Sequence, residues 1–543
     1  MYRPASVRLP ATRPLRSALA WLETLVATRR GALALFALAV GAHLFRSIAW
    51  PVGGGRDLDE YLLDYVQLLD RHPLLPWPML FRTPATPVVA GLSLDLFGGA
   101  LVEPVMAVLY ALSIVAWTRV ALRFGRRAAL VTAFALLLYQ GYALMFHELS
   151  SEPVFAASFA LWALAVVRAA DQPAPGRFAL VGLAVALLAL VRPGNAVLLS
   201  FVVFPLLVGR SWRQRIRYSA AFAAAAVLPL AAWGVQNGLR FGDYTLARGG
   251  NAVVPFYRAF ITDHIVSPQN GPASRRLADA MRRGLLTREP YHSYGVTLDE
   301  LFRKGSFRVH EDLYLLSDEI FGWDSAYSML RKAGVEGVEA HPGTYSKGVL
   351  TTIWQELSRA QFRLGASGAA PKSSVGGSSV VIHGRRLLRP SEGQPIPGGQ
   401  NAWISRPDST IRQVWTSPTA YHFVFAHPAD RSRFEAIQHR VTDLFDALPN
   451  RHPNSTLSLR LNQLSRWYPR PYQWILVGLV ALAIRRPRRS PLLLSFSLAA
   501  LLVVFLNALG LFADLHFILP VAPAFVFLGV GALLGPRAAP RLS

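Results

Sequence analysis

Residues 53–90 read GGGRDLDEYLLDYVQLLDRHPLLPWPMLFRTPATPVVA and follow directly on the first strongly apolar segment of the chain. Gly53-Gly54-Gly55 opens the stretch, and Arg56, Asp57, Asp59, Glu60 and Asp64 fall within nine residues. Pro76, Pro78, Pro84 and Pro87 then surround Arg82. Acids packed this closely beside a membrane are costly unless they meet water, a cation or a substrate. By itself the stretch also fits a solvated loop with a short amphipathic helix over Leu58–Leu69. The rest of the chain weighs between the two.

The chain has 543 residues, is 52% hydrophobic and has positive mean hydropathy, which is too apolar for an ordinary soluble protein. The net charge is +24, nearly all of it from arginine. Those arginines flank apolar runs, a pattern that orients membrane helices and does not build a nucleic-acid face. There is no cysteine, so disulfides, thiolate catalysis and Cys-ligated metals are excluded. The first apolar run starts near Gly31, after an arginine-rich amphipathic lead and no cleavable signal peptide. This lead, residues 1–30, is expected on the cytoplasmic side, partly on anionic lipid.

Ten apolar segments follow: 32–50, 102–122, 128–146, 153–169, 177–191, 195–209, 217–235, 472–484, 491–509 and 515–534. The predicted fold is an all-α polytopic membrane protein of about ten transmembrane helices with a large extracytoplasmic loop domain. Arginines at 29–30, 123–127, 168–177, 210–217 and 485–489 share one side of an alternating path, which makes that side the cytoplasm. The opposite connections, 147–152, 192–195 and 510–516, carry almost no Lys or Arg, with Arg192 the exception. Both termini are then cytoplasmic, and the protein is expected in the cell (inner) membrane. The N-terminal core is 31–235 with a first outer loop over 51–101, the large outer segment is 236–471, and 472–543 carries the last helices. Pro84–Phe97 suits an interfacial helix. The polar segment has helix-like pieces at 274–286 and 347–362, and a Gly/Ser-rich run at 365–379 that reads as a linker into an insertion, 365–465.

Four groups fall at the outer ends of the spans: Asp57, Asp59 and Glu60; His147, Glu148 and Glu152; Arg192; Asp514 and His516. Each has a plainer reading. Glu152 before Pro153 suits a helix start, Arg192 before Pro193 can anchor a span at the headgroups, and a lone histidine such as His516 is weak evidence for a site. Together, acids and an outward arginine at the lipid–water boundary suit a lipid-borne phosphate. Arginine grips phosphate at two points, and a carboxylate can take a proton from an attacking hydroxyl. A phosphate leaving group needs no second acid, unlike the leaving oxygen in glycoside hydrolysis.

Asp57-Leu58-Asp59-Glu60-Tyr61, Phe81-Arg82-Thr83-Pro84-Ala85-Thr86-Pro87, Ser151-Glu152-Pro153-Val154-Phe155, Arg192-Pro193, Trp233-Gly234-Val235-Gln236-Asn237 with Phe241-Gly242, His341-Pro342-Gly343-Thr344-Tyr345 and His516-Phe517-Ile518-Leu519-Pro520 occur in that order. In this order and topology they resemble the motifs of the GT-C superfamily of membrane glycosyltransferases, the type that includes protein O-mannosyltransferases and aminoarabinose transferases. The likeness covers about 30–355 and 470–535. Gln236 stands where the family commonly has Arg, and His516-Phe517 where it has Arg-Tyr. What the resemblance implies is sugar transfer from a polyprenyl-phosphate donor to a lipid, glycan or protein acceptor on the non-cytoplasmic face. Asp57 would be the base, with Asp59 and Glu60 behind it because they do not share its direction on a helix. Arg82 and Arg192 would hold the phosphate, Glu152 would orient a substrate, and Arg56 and His516 are further candidate substrate contacts. Some members use a divalent cation; the acids here can offer oxygen ligands, but no spacing demands one. Two other classes compete: a flippase for a lipid-linked glycan, and a non-catalytic envelope-assembly protein. A flippase should show broken helices or repeat symmetry near the midplane; the sequence shows neither, and its acids sit at the span ends, while the intact Asp57 cluster weighs against the second.

Overall fold

The structure is a computed structural model that describes residues 13–74, 80–249, 253–288, 291–292, 295–304, 307–324, 326–359, 380–382, 385–387, 411–417, 420–449, 454–485, 487 and 490–536. The Gly/Ser-rich run, the start of the basic lead, Pro76 and Pro78, and the basic tail lie outside them.

The chain is mostly helical. In order come α1 (Arg13–Val26), α2 (Arg29–Ser47), β1 (Gly53–Gly54), α3 (Leu58–Gln67), α4 (Ala85–Asp95), α5 (Val102–Ala121), α6 (Arg126–Leu138), α7 (Gln140–Met145), β2 (Glu148–Leu149), α8 (Ser151–Asp171) and α9 (Pro175–Val191). A 3-10 stretch, Pro193–Val203, runs into α10 (Phe204–Val208), followed by α11 (Trp212–Phe241). The polar segment holds α12 (Pro272–Ala280), α13 (Leu298–Lys304), α14 (Phe307–Phe321), α15 (Ser328–Ala340), α16 (Pro342–Ser358), two short two-stranded sheets among its described residues, α17 (Pro428–Asp446) and α18 (Ser455–Ser465). The chain closes with α19 (Pro471–Arg485), α20 (Ser490–Gly510), α21 (Leu515–Ile518) and α22 (Ala522–Leu534).

Every apolar segment expected to span is helical, but the count by length is lower. Among the described residues four helices are long and apolar enough to cross a membrane: Val102–Phe124, Ser151–Asp171, Trp212–Phe241 and Pro491–Gly510. A fifth crossing is available if α1 and α2, bent by 96°, count as one. The remainder are shorter apolar helices, including Pro175–Val191, Pro471–Arg485 and Ala522–Leu534. At ~1.5 Å per residue such helices fall short of a ~30 Å hydrocarbon layer. Two expected spans are also interrupted: 128–146 breaks at Tyr139 between α6 and α7, and 515–534 breaks between α21 and α22. At the first break Arg46 of α2 donates to the freed Leu137 carbonyl at 2.6 Å and to Gln140 Oε1 at 2.9 Å. A buried arginine inside an apolar helix is thereby matched to backbone that the break exposes.

Small residues set the helix packing. A Cβ on Gly182 of α9 would fall 2.2 Å from the Phe222 carbonyl of α11, so these helices approach closely. Trp117, Phe159, Trp162, Phe496 and Phe527 interlock at the centre of the bundle. A second apolar core joins the polar segment to the first loop: Leu62 and Leu63 of α3 share it with Phe256, Tyr314 and Leu330. Phe434, Ile437, Val441 and Leu444 of α17 belong to the same core, so the C-terminal part of the expected insertion 365–465 packs onto α3 and α4. Asn454, which opens an Asn-Ser-Thr triplet, caps α18 by accepting from Leu457 N at 3.0 Å. The Trp233/Asn237 motif closes the turn after α11, donating to the Leu246 and Thr245 carbonyls at 3.0 and 2.9 Å.

Candidate active site

Two short loops form the frame. β1 pairs in parallel with β2, Gly53 opposite Glu148 and Gly54 opposite Leu149. The next glycine is required by contact: a Cβ on Gly55 would lie 2.7 Å from Ser150 Cβ. The chain then turns through Asp57, whose φ of 59° is left-handed, a conformation Asp tolerates better than most residues. Asp57 starts α3 but makes no side-chain cap; its carboxylate faces arginines. Arg82 Nη2 lies 3.1 Å from Asp57 Oδ2, and Arg56 Nε lies 3.7 Å from the same oxygen. Arg82 Nε also donates to Glu60 Oε2 at 2.7 Å, with Nη2 on the same oxygen. Glu60 was expected to point away from Asp57, but residues three apart share a helix face, and one turn of α3 presents both acids to the Arg82 guanidinium.

Ser150, Ser151 and Glu152 lead from β2 into α8. Glu152 does sit in the first helical turn, as a helix start requires, yet it also pairs with Arg192 at the end of α9. Arg192 Nε donates to Ser151 Oγ at 2.8 Å. Glu152 is 1% exposed and its Oε2 has no hydrogen-bond partner. An anchor snorkelling to the headgroups would not be engaged in this way. The fourth group closes the ring between α20 and α22: Asp514 Oδ2 accepts from Arg56 Nη1 at 3.2 Å, and His516 lies between Asp514 at 2.8 Å and Glu148 at 3.2 Å.

The first three groups border a cavity of about 730 Å³. Arg56, Asp57, Glu60, Arg82, Glu152 and Arg192 line it, while Val503, Leu506, Leu511, Phe512 and Phe517 give it an apolar wall. Arg56 and Arg192 lie over the Phe517 ring, at 5.5 and 6.0 Å from its centre. Asp59 and His516, both named from sequence, do not line it. Asp59 is displaced around α3 by the helical period, and His516 stands behind Arg56. His147 turns away altogether, because alternate residues of an extended strand face opposite sides. Sequence reasoning missed Arg248, which lines the cavity, is bound by Asp318 at 2.9 and 2.7 Å and stacks 3.3 Å from the Trp323 ring centre. A lone arginine in a polar loop gives no signal for this; Asp318 is 70 residues away.

Burial alone would raise the Asp57 pKa, but Arg82 and Arg56, with Arg192 and His516 farther off, hold it below the usual carboxylate range. Burial and the neighbouring Glu60 and Asp57 push Asp59 up to about 8. Burial pushes Asp64 well above the carboxylate range. Burial also disfavours a charge on His516, yet its bonds to Asp514 and Glu148 prevail and raise it to about 10. His516 is thus a cation at neutral pH. Among the described residues no three His, Asp or Glu side chains are placed to hold a metal ion together.

No protein-family model and no curated protein matches the chain. Among solved structures the chain is similar to ArnT from Cupriavidus metallidurans bound to undecaprenyl phosphate, at 12% identity over 93% of this chain and 78% of that one, with a TM-score of 0.31. The apo state of that protein gives 12%, 95%, 78% and 0.29. The archaeal oligosaccharyltransferase AglB from Archaeoglobus fulgidus, in complex with an inhibitory peptide and a dolichol-phosphate, gives 13%, 62%, 53% and 0.28. Likenesses this distant carry no argument about the chemistry of this chain, which rests on the geometry above.

Proposed function

We propose that this chain is a membrane glycosyltransferase that moves a sugar from a polyprenyl-phosphate donor to an acceptor hydroxyl at the non-cytoplasmic membrane face. One observation carries the reading. Acids and arginines from four segments far apart in sequence meet at one cavity that is charged on one side and apolar on the other. A phosphate joined to a long apolar chain and a polar sugar has that same division. Asp57 takes the proton of the acceptor hydroxyl. The hydroxyl oxygen bonds to the anomeric carbon as the carbon–phosphate oxygen bond breaks, inverting that carbon. The phosphate departs as an anion, held by Arg82 and Arg192, and needs no proton from the protein. Glu152, with one free carboxylate oxygen, orients a sugar or acceptor hydroxyl. The low pKa of Asp57 keeps it ionised at neutral pH, ready to accept a proton.

The test is transfer by the purified protein from a polyprenyl-phosphate sugar to envelope acceptors. Product formation that needs Asp57 supports the reading. Movement of the lipid-linked sugar across a vesicle bilayer without transfer would replace it with transport. In the proposed topology α16 lies outside and the start of α11 inside. In the cysteine-free chain, an impermeant thiol reagent on intact cells should label Thr351→Cys and spare Ser211→Cys; the reverse pattern would invert the protein.

A further inference from the structure

The β1–β2 pair has a second face, turned away from the cavity and into the bundle. Glu103, at the start of α5, is 7% exposed and outside the chemistry above. Its Oε1 accepts from Val52 N at 2.9 Å, one residue before β1. Its Oε2 accepts from Ser47 Oγ at 2.7 Å and lies 3.4 Å from His43 Nε2, both in α2. The His43 ring stacks on His147 at 4.3 Å, with the planes 10° apart. His147 in turn precedes Glu148 of β2, and its carbonyl accepts from Gly53 N at 3.0 Å. One buried carboxylate therefore bonds the residue before β1 directly and reaches β2 through the close approach of His43, its stacking on His147 and the Gly53–His147 backbone bond.

We propose that Glu103 is a positioning residue for the base: by holding Val52 and the His43–His147 stack, it sets the β1–β2 register that places Asp57 against Arg82. This rests on the reading of Asp57 as base. The physical case is that a charge buried in an apolar bundle is costly unless it is matched by donors. Here the donors, Ser47 Oγ and Val52 N–H, belong to the segment that runs from α2 into β1, and the β2 side is reached through the His43–His147 stack. Asp57 follows Val52 by five residues through a glycine run with little stiffness of its own, so its place depends on what holds the ends of that run. Misplacement of a reacting group by ~1 Å costs about 10²-fold in rate.

Three variants of the full-length protein in detergent test this, each followed by backbone hydrogen exchange and by steady-state transfer. Glu103→Ala should speed exchange in peptides covering 50–56 and 147–151, but not in 102–121, and lower kcat by about tenfold or more. The donor KM should change less than kcat, because Arg192 stays on α9 and keeps its charge on the cavity while Asp57 moves. Glu103→Gln should regain most of the rate, since an amide oxygen still accepts from Val52 N–H; a Gln variant as inactive as Ala would overturn the proposal by making the charge itself the requirement. Gly55→Ala forces the strands apart without touching Glu103, so it should reproduce the kcat loss even if Glu103→Ala fails to fold. Normal kcat in Gly55→Ala, or unchanged exchange at 50–56 in a folded Glu103→Ala, would overturn the positioning role. A fully active Asp57→Asn would sink the base reading instead, and exchange reports on the strap independently of it.

Discussion

The two faces of one small strand pair make opposite uses of charge. On the cavity face, Arg56, Arg82 and Arg192 each meet acids from another segment, and their side chains keep 36%, 23% and 20% exposure. On the bundle face, His43 and Glu103 are sealed at 0% and 9%. The cavity face leaves room for a substrate to share its guanidinium donors, because each arginine carries five N–H groups. The bundle face has no such room, and its contacts can only fix geometry. What separates them teaches how to read buried charge: partial exposure beside a cavity marks groups that can exchange partners, and full enclosure marks groups that hold a frame.

The largest expected effect lies on the cavity face. Asp57→Asn preserves shape and removes the proton acceptor, so transfer should fall by about 10²–10⁴-fold with donor affinity retained. Near-normal transfer in Asp57→Asn, with loss in Glu60→Gln, would move the base one turn along α3. Next comes Arg192→Lys. It keeps the charge but loses the planar grip on phosphate and the bond to Ser151, so donor KM should rise by about tenfold or more. An unchanged donor KM would reduce Arg192 to a strut for Glu152 and bring the two faces closer in kind.

Two smaller effects concern stability and have opposite signs with pH. His516 has a folded pKa of about 10 against ~6.5 unfolded, so its ion pairs stabilise fully below ~6.5 and lose that contribution as pH rises toward 10. The melting temperature of His516→Gln should therefore lie below that of the wild type at pH 6 and converge on it at pH 10; a constant gap would mean that the imidazole contributes by packing alone. Asp59 runs the other way. Its folded pKa of about 8 exceeds the unfolded ~3.9, so ionising it costs stability, with no cost at low pH and the full cost above 8. Asp59→Asn should raise the melting temperature at pH 9 and leave it unchanged at pH 4. A gain at both would point to helix or packing effects in α3.

Much of the candidate site was legible in the chain. Asp57, Glu60, Arg82, Glu152 and Arg192 were each marked by residue type, by position at the end of an apolar run and by neighbouring prolines and glycines. The structure brings all of them to one cavity. Asp59 was read with them because a helix displaces its residues by ~100° each, and the starting phase of α3 depends on the left-handed turn at Asp57, which composition does not encode. The segment 365–465 was read as an insertion entered through a linker, and its α17 buries Phe434 and Ile437 in the core shared with α3. Apolar periodicity in a polar loop shows that a helix has a partner without saying which one. Removing that segment would strip the back of the helix that carries the acids.

The amino-acid sequence by itself determined the helical, apolar character of the chain, since runs of Leu, Ala and Val must satisfy their backbone internally in lipid. It also determined which side chains sit where those runs end. Only the tertiary structure decided how the charges pair. Arg56 meets Asp514 across 458 residues and His516 meets Glu148 across 368. Such pairs depend on helix crossings set by close contacts such as Gly182 on Phe222, and on the register of a two-residue strand pair. It likewise decided that His147 and Glu148, adjacent in the chain, take different partners, His147 stacking on His43 and Glu148 pairing with His516. Local sequence fixes what a residue can do; which neighbour it meets is a property of packing between segments that the sequence places hundreds of residues apart.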